Sequence, residues 1–284
     1  MILVTGATGN LGQAVVNQLS QILPKEQFVG LVRNPEKAAE VLDNNIPIRF
    51  GDFNQPESLE LAFHGIDKLL LISTMEQNRL EQHKVVIDAA KNAGVKHIFY
   101  TGLAIKDIFT SAVKDLMLSH FETEEYIIQS GLTYTFLRNT MYAEALPQIL
   151  LASLKEDKIM IPAGEGKVPF ALRQELGEGI ANLLTQEGHE NKIYHLTGSS
   201  AYSISDVVAT LNDVKEANYT YQSVDSQIYI DHLASVGFPE FAIYLHQGTV
   251  ADIKNGQYDF TTETLSCALG RPSANINEFI KNVF

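Results

Sequence analysis

The first twelve residues, Met1 to Gly12 (MILVTGATGNLG), constrain the fold more than any other stretch of this chain. Ile2, Leu3 and Val4 form a short apolar run suited to a strand buried on both faces. Leu11, Val15, Val16 and Leu19 then recur at helical spacing. Between them, Thr5 to Asn10 is a tight turn of small residues. Gly6, Gly9 and Gly12 therefore lie between a strand and a helix, where a dinucleotide pyrophosphate meets a helix N-terminus. Glycine has no Cβ, so backbone N–H groups there can approach phosphates closely. The spacing is G-x-x-G-x-x-G rather than G-x-G-x-x-G, and a glycine-rich βα turn with no ligand is the competing reading. The flanking strand and helix favour nucleotide binding.

The first half of the chain continues this alternation. Phe28–Arg33, Ile46–Asp52, Lys68–Thr74, His97–Gly102 and Tyr134–Arg138 read as strands. Helical patterns fall between them: Pro35 to about Leu42, Pro56 to about Phe63, a long helix ending near Asn92, and about Ser111 to Ser130. Lys68–Thr74 is almost wholly apolar and is expected at the centre of the sheet. The fold class is therefore α/β: a Rossmann-type, doubly wound parallel sheet built from right-handed crossovers, with a smaller mixed α/β C-terminal lobe. The expected division is a dinucleotide-binding domain over 1–140 and a substrate-binding lobe over 141–284 that covers the carboxyl ends of the strands. In the second half Gly164, Gly166 and Pro169 mark a loop, and Glu175–Leu184 and Ser203–Leu211 look helical. A strand at about 192–198 is expected to rejoin the sheet, and Tyr219–Val224 alternates like a short strand. The remainder reads as helices, with turns at Gly237–Pro239 and Gly270–Pro272.

Composition excludes several function classes. A net charge of −13 argues against nucleic acid and anionic membrane surfaces, which need a basic face. No apolar stretch approaches a membrane span, and no basic segment precedes an apolar one at the start, so neither insertion nor a signal peptide is expected. The single cysteine, Cys267, cannot form an internal disulfide and fits a reducing cytoplasm; it is expected to be a small buried side chain. A homodimer is a partner that the sequence allows and does not require.

The candidate site residues follow the strand ends. Where an NAD site places an acidic residue on the ribose, the second strand ends in Arg33, whose forked cation suits a 2′-phosphate; stacking on adenine is the alternative. Asp52 and Phe53 follow the third strand, where adenine would lie; Asp52 either accepts from the adenine amino group or caps the next turn. Ser73 and Thr74 end the fourth strand near the expected nicotinamide ribose, unless they only cap the following helix. The Tyr-x-x-x-Lys dyad of short-chain dehydrogenases is absent: none of the eleven tyrosines has a lysine four residues on. His120 is the candidate substitute, able to donate a proton near neutral pH or simply to bond locally within its helix. Asn139 and Tyr142 follow the sixth strand at the cleft mouth; Tyr142 stacks on a flat substrate or packs one lobe on the other. No histidine pair has metal-ligand spacing, so no metal is expected.

Taken together, Gly6–Gly12, Leu31–Ala38, Gly51–Leu59, Lys68–Thr74 and Ser119–Glu144, with Gly164–Arg173 and Lys192–Gly198, resemble the NmrA-like branch of the atypical short-chain dehydrogenases. Within that branch the likeness is to bacterial NADPH-dependent quinone oxidoreductases and triphenylmethane-dye reductases. The resemblance implies NADPH held by Gly6, Thr8, Gly9, Asn10, Leu11 and Arg33, and puts His120 at the helix position of the dyad lysine. The strand end reads Tyr100-Thr101-Gly102, so the usual catalytic serine is missing as well. Gln174-Glu175 after Arg173 departs from the family's usual R-x-D.

The expected function is an NADPH-dependent reductase of quinones or similar conjugated acceptors, the substrate being a small molecule. Reducing a simple ketone makes a basic alkoxide that needs a positioned acid, whereas a quinone yields a delocalised phenolate that water or His120 can protonate. A non-catalytic NADP(H)-binding redox sensor is the alternative. A nucleotide-sugar epimerase is disfavoured by the missing dyad.

Overall fold

The computed structural model describes residues 1–41 and 46–284, so Leu42, the expected end of the second helix, lies outside the described residues. Five βα units and a sixth strand lead the chain: β1 (Ile2–Val4), α1 (Asn10–Ile22), β2 (Phe28–Val32), α2 (Pro35–Val41), β3 (Ile48–Phe50), α3 (Pro56–Ala62), β4 (Lys68–Leu71), α4 (Arg79–Asn92), β5 (His97–Leu103), α5 (Lys114–Ser130) and β6 (Thr133–Asn139). After α6 (Leu146–Ala152) come the short strands β7 (Leu154–Lys155), β8 (Lys158–Met160) and β9 (Lys167–Val168). The chain continues through α7 (Arg173–Thr185), β10 (Lys192–Leu196), β11 (Tyr202–Ser203), α8 (Ile204–Lys215) and β12 (Thr220–Gln222). It ends with α9 (Ser226–Ser235), α10 (Glu240–Lys254), α11 (Thr264–Leu269) and α12 (Ile276–Val283).

Seven strands form one parallel sheet in the order β10-β6-β5-β4-β1-β2-β3. β4 is its central strand and β10 extends it beside β6, both as expected. Alternate side chains feed opposite faces. Ile2 and Val4 join the core beneath α1, α7 and α11, while Leu3 joins the core beneath α3, α4 and α5. Gly177 lets α7 lie directly on α1, since a Cβ there would collide with Ala14. The sheet layers thus draw more from the second half than the strand near 192–198: α7 and α11 belong to them too. The lobe has its own core, built from residues such as Leu146, Ile159, Phe170, Val207, Tyr229 and Phe279.

Three local expectations differ from the structure. The loop marked by Gly164 and Pro169 contains β9, which pairs with β11. The helix expected from Ser111 begins at Lys114, because buried Asp252 of α10 accepts from Ser111 Oγ (2.5 Å) and Ala112 N (2.7 Å) and holds both ahead of the helix. Cys267 is exposed rather than buried. Leu265, Ala268 and Leu269 occupy the inward stripe of α11, and Cys267 falls on its outer side.

Candidate functional site

The strand order reverses between β1 and β4, and such switch points are where open α/β sheets leave a crevice. A cleft of about 330 Å³ opens there, lined by Gly6, Thr8, Gly9, Leu31, Arg33, Gly51, Asp52, Phe53, Asn54, Ile72, Ser73, Thr74 and Gln82. Gly6 sits at φ +61°, the left-handed region that a side chain resists, and this turns the chain from β1 into the crevice. Gly9 caps α1, its N–H bonded to Gly6 O at 2.9 Å. A Cβ on Gly9 would meet only Gly6 O, at 3.3 Å, so its open side is the cleft. Just beyond, Asn10 and Leu11 open the helix with N–H groups that have no intrahelical acceptor.

Eight of the expected cofactor residues therefore line one cleft: Gly6, Thr8, Gly9, Arg33, Asp52, Phe53, Ser73 and Thr74. Three do not line it. Leu11 is buried in the core beneath α1, which leaves only its backbone to face a ligand. Asn10 is exposed at the helix start. Gly12 is a packing glycine, because a Cβ there would run into the backbone of Gly6 and Ala7.

The cleft side chains differ in how far they are already engaged. Arg33 is exposed and, although Asp52 lines the same cleft, no ion pair between Arg33 and an acid is seen among the described residues. Asp52 does cap its own turn, accepting from Asn54 N at 2.9 Å, while still lining the cleft. Ser73 and Thr74 are not helix caps; Asn78 holds that position for α4. Ser73 N instead donates to Thr101 Oγ1 at 2.9 Å, and Thr74 Oγ1 reaches Gln82 Oε1 at 3.2 Å. The lining residues Asn54 and Gln82 carry no recognisable motif. Arg79 and His83 were legible only as an i,i+4 pair, which shares one helix face.

His120 lies behind the cleft lining, packed among α4, β5 and α5, with its Nδ1 2.9 Å from the Tyr100 hydroxyl. Burial, then the Arg79 cation, then His83, hold its pKa well below the ordinary histidine value. Burial and Arg79 thus favour the neutral imidazole, bonded locally to Tyr100. Burial likewise pushes the Tyr100 phenol well above its ordinary range, so it stays protonated. Replacing His120 by Ala removes one buried partner of the Tyr100 hydroxyl and leaves Thr123 beside it, which costs about 0.5–1.5 kcal/mol in urea unfolding. Turnover with quinones should fall far less than the ~10²–10⁴-fold of a required general acid. Measuring kcat across quinones of graded electron demand checks this; a uniform collapse would make His120 obligatory.

Asn139 and Tyr142 are brought together at the end of β6, with Asn139 Nδ2 3.5 Å from the Tyr142 hydroxyl. Asn139 Oδ1 is buried with no hydrogen-bond partner among the described residues. One face of the Tyr142 ring is taken by Arg173, 4.5 Å from its centroid, and Glu144 accepts from Arg173 N at 2.8 Å. Tyr142 thus packs against the start of α7 and the sheet core beneath it. Glu175 has a structural duty: it is buried, pairs with Arg271 at 2.5 Å and accepts from Ala274 N.

Comparison with known proteins places this geometry. The NmrA-like family profile matches residues 1–260. The chain belongs to the NmrA-like family. It is 37% identical to quinone oxidoreductase 2 of Escherichia coli, with 100% of this chain and 99% of that protein covered. It is 28% identical to the NAD(P)H azoreductase of Xenophilus azovorans over 99% of this chain and 97% of that one. The crystal structure of the Escherichia coli NADPH-dependent quinone oxidoreductase in complex with NADPH superposes with a TM-score of 0.93 at 35% identity, covering 100% of both chains. No helix of the described residues is long and apolar enough to cross a membrane.

Proposed function

We propose that this member of the NmrA-like family is an NADPH-dependent reductase of quinones and similar conjugated acceptors. The observation that carries the reading is the full-length likeness, at 37% identity, to a quinone oxidoreductase, in a chain whose switch-point cleft presents Arg33. The residues fit NADPH. The cradle beside Gly9 is one that a Cβ would fill, the unbonded N–H groups at the start of α1 suit a pyrophosphate, and Arg33 is a cation placed for a 2′-phosphate. When bound, NADPH supplies a hydride to the acceptor.

The chain's own residues bind and orient. Thr101 and Gln82 fix Ser73 and Thr74 on the floor of the cleft. Asn139 and Tyr142 border the acceptor side, and Asn139 Oδ1 is a free buried acceptor for a donor on a ligand. His83 and His120 are neutral and Tyr100 is protonated, so these buried groups hold protons without releasing them near neutral pH. An acceptor whose reduced form is a delocalised anion suits such a site, since water can supply the proton. Orientation then provides most of the rate. We place the reductase in the cytoplasm, consistent with its lone exposed cysteine.

The test is NADPH consumption at 340 nm with 1,4-benzoquinone. Saturable turnover is expected. NADPH binding without turnover of any quinone would instead support a redox sensor.

A further inference from the structure

A buried cation grips the loop that follows β4. Arg79 is 1% exposed and, among the described residues, meets only neutral acceptors: its Nε donates to Thr74 O at 2.6 Å, and a terminal nitrogen donates to Leu116 O at 3.2 Å and Ser119 Oγ at 2.8 Å. A buried charge without a counter-ion is costly to a fold. This one also opens α4, where the helix dipole is itself positive. Stability alone gives no reason for an arginine here. The reason lies in what it holds.

Thr74 lines the cleft, and its backbone is held on both sides by α4. Its carbonyl accepts from Arg79, and its N–H donates to His83 Nε2 at 3.4 Å. His83 can accept there only as a neutral imidazole. Its Nδ1–H then donates to Thr123 Oγ1 at 3.0 Å, and that hydroxyl donates to Ser119 O at 2.7 Å. The same turn of α5 that Arg79 grips thus also receives the chain of bonds from Thr74.

We propose that Arg79 is a positioning residue for NADPH-dependent reduction, locking the Ser73–Met75 loop of the cofactor cleft to helix α5 through Thr74, Ser119 and a neutral His83. The proposal rests on the reductase reading. The charged and titratable groups around the His83 and His120 rings are Arg79 of α4, Tyr100 of β5 and Glu124 of α5. The Glu124 carboxylate is taken up by Arg138 of β6 at 2.9 and 2.6 Å, so Arg79 is the uncompensated charge. Burial and then that cation push His83 down to about 3. Arg79 therefore both grips the loop and repels the proton that would break the His83 contact.

The experiment uses the full chain and two substitutions. Arg79→Lys keeps the charge but loses the fork, and Arg79→Gln loses both. NADPH dissociation constants come from calorimetry, histidine titrations from ¹⁵N–¹H spectra, and Tm from unfolding. Arg79→Lys should weaken NADPH binding roughly tenfold, the scale of one charge-assisted hydrogen bond, while its histidines stay silent as in the wild type. Arg79→Gln should weaken it further and raise the His83 pKa, which burial still keeps below the ordinary histidine value. A merely structural arginine would lower Tm in both variants yet leave the dissociation constant and the titrations of the folded protein unchanged, and that result overturns the proposal. If Arg79→Gln does not fold, the dissociation constant of Arg79→Lys decides alone. A wild type that reduces no quinone would defeat the reductase reading, while these binding and titration readouts still judge Arg79.

Discussion

Gly9→Val should remain folded and lose NADPH binding by about a hundredfold or more. A Cβ at this position meets one atom of the protein, Gly6 O at 3.3 Å, and otherwise points into the cleft. The extended backbone of Gly9, φ −82° and ψ 162°, suits valine well. The branched side chain then stands where a pyrophosphate would approach the N–H groups of α1. Losing two charge-assisted hydrogen bonds, at about 1.5–3 kcal/mol each, corresponds to about 10²–10⁴ in affinity. Calorimetric titration with NADPH, beside a thermal melt, separates binding from folding. Gly12→Val is the contrast. Its Cβ would enter the Gly6–Ala7 backbone, so it should damage the fold itself. Wild-type affinity in folded Gly9→Val would remove the cofactor from this turn.

Arg33→Ala should weaken NADPH binding roughly ten- to a hundredfold and leave NADH almost untouched. The side chain lines the cleft and is exposed, so its removal costs the fold little. A guanidinium paired with a phosphate is worth about 1.5–3 kcal/mol, and NADH has no 2′-phosphate to lose. Paired measurements of kcat/KM for the two cofactors with one quinone give the selectivity ratio. An equal loss for both would mean that Arg33 stacks on the adenine.

The proposed cofactor half of the site was legible because it is local. A glycine turn between an apolar strand and an amphipathic helix needs no distant residue to be recognised, and Arg33, Asp52 and Ser73 follow from their places at strand ends. The catalytic half was not. His120 reads on paper as an ordinary helix histidine with an ordinary pKa. Its actual state depends first on burial among α4, β5 and α5 and then on Arg79, forty-one positions earlier in the chain. Nor could Cys267 be placed by composition, since a six-residue helix has few positions and its neighbours Leu265, Ala268 and Leu269 claim the inward stripe.

The sequence by itself determined the architecture, down to the central strand β4 and the added strand β10. Hydrophobic periodicity and glycine placement are local signals, and right-handed crossovers leave few ways to join them. It also determined at which end of the sheet the cleft opens. Tertiary structure alone decided which side chains meet and what charge they carry. Thr74 is gripped by Arg79 and His83 because α4 packs beside α5, and Tyr142 stacks on Arg173 because α7 returns to the sheet after the short strands. Burial sets protonation, and burial is a property of packing between segments far apart in the chain. Whether a histidine can give up a proton is therefore settled only when the helices close around it.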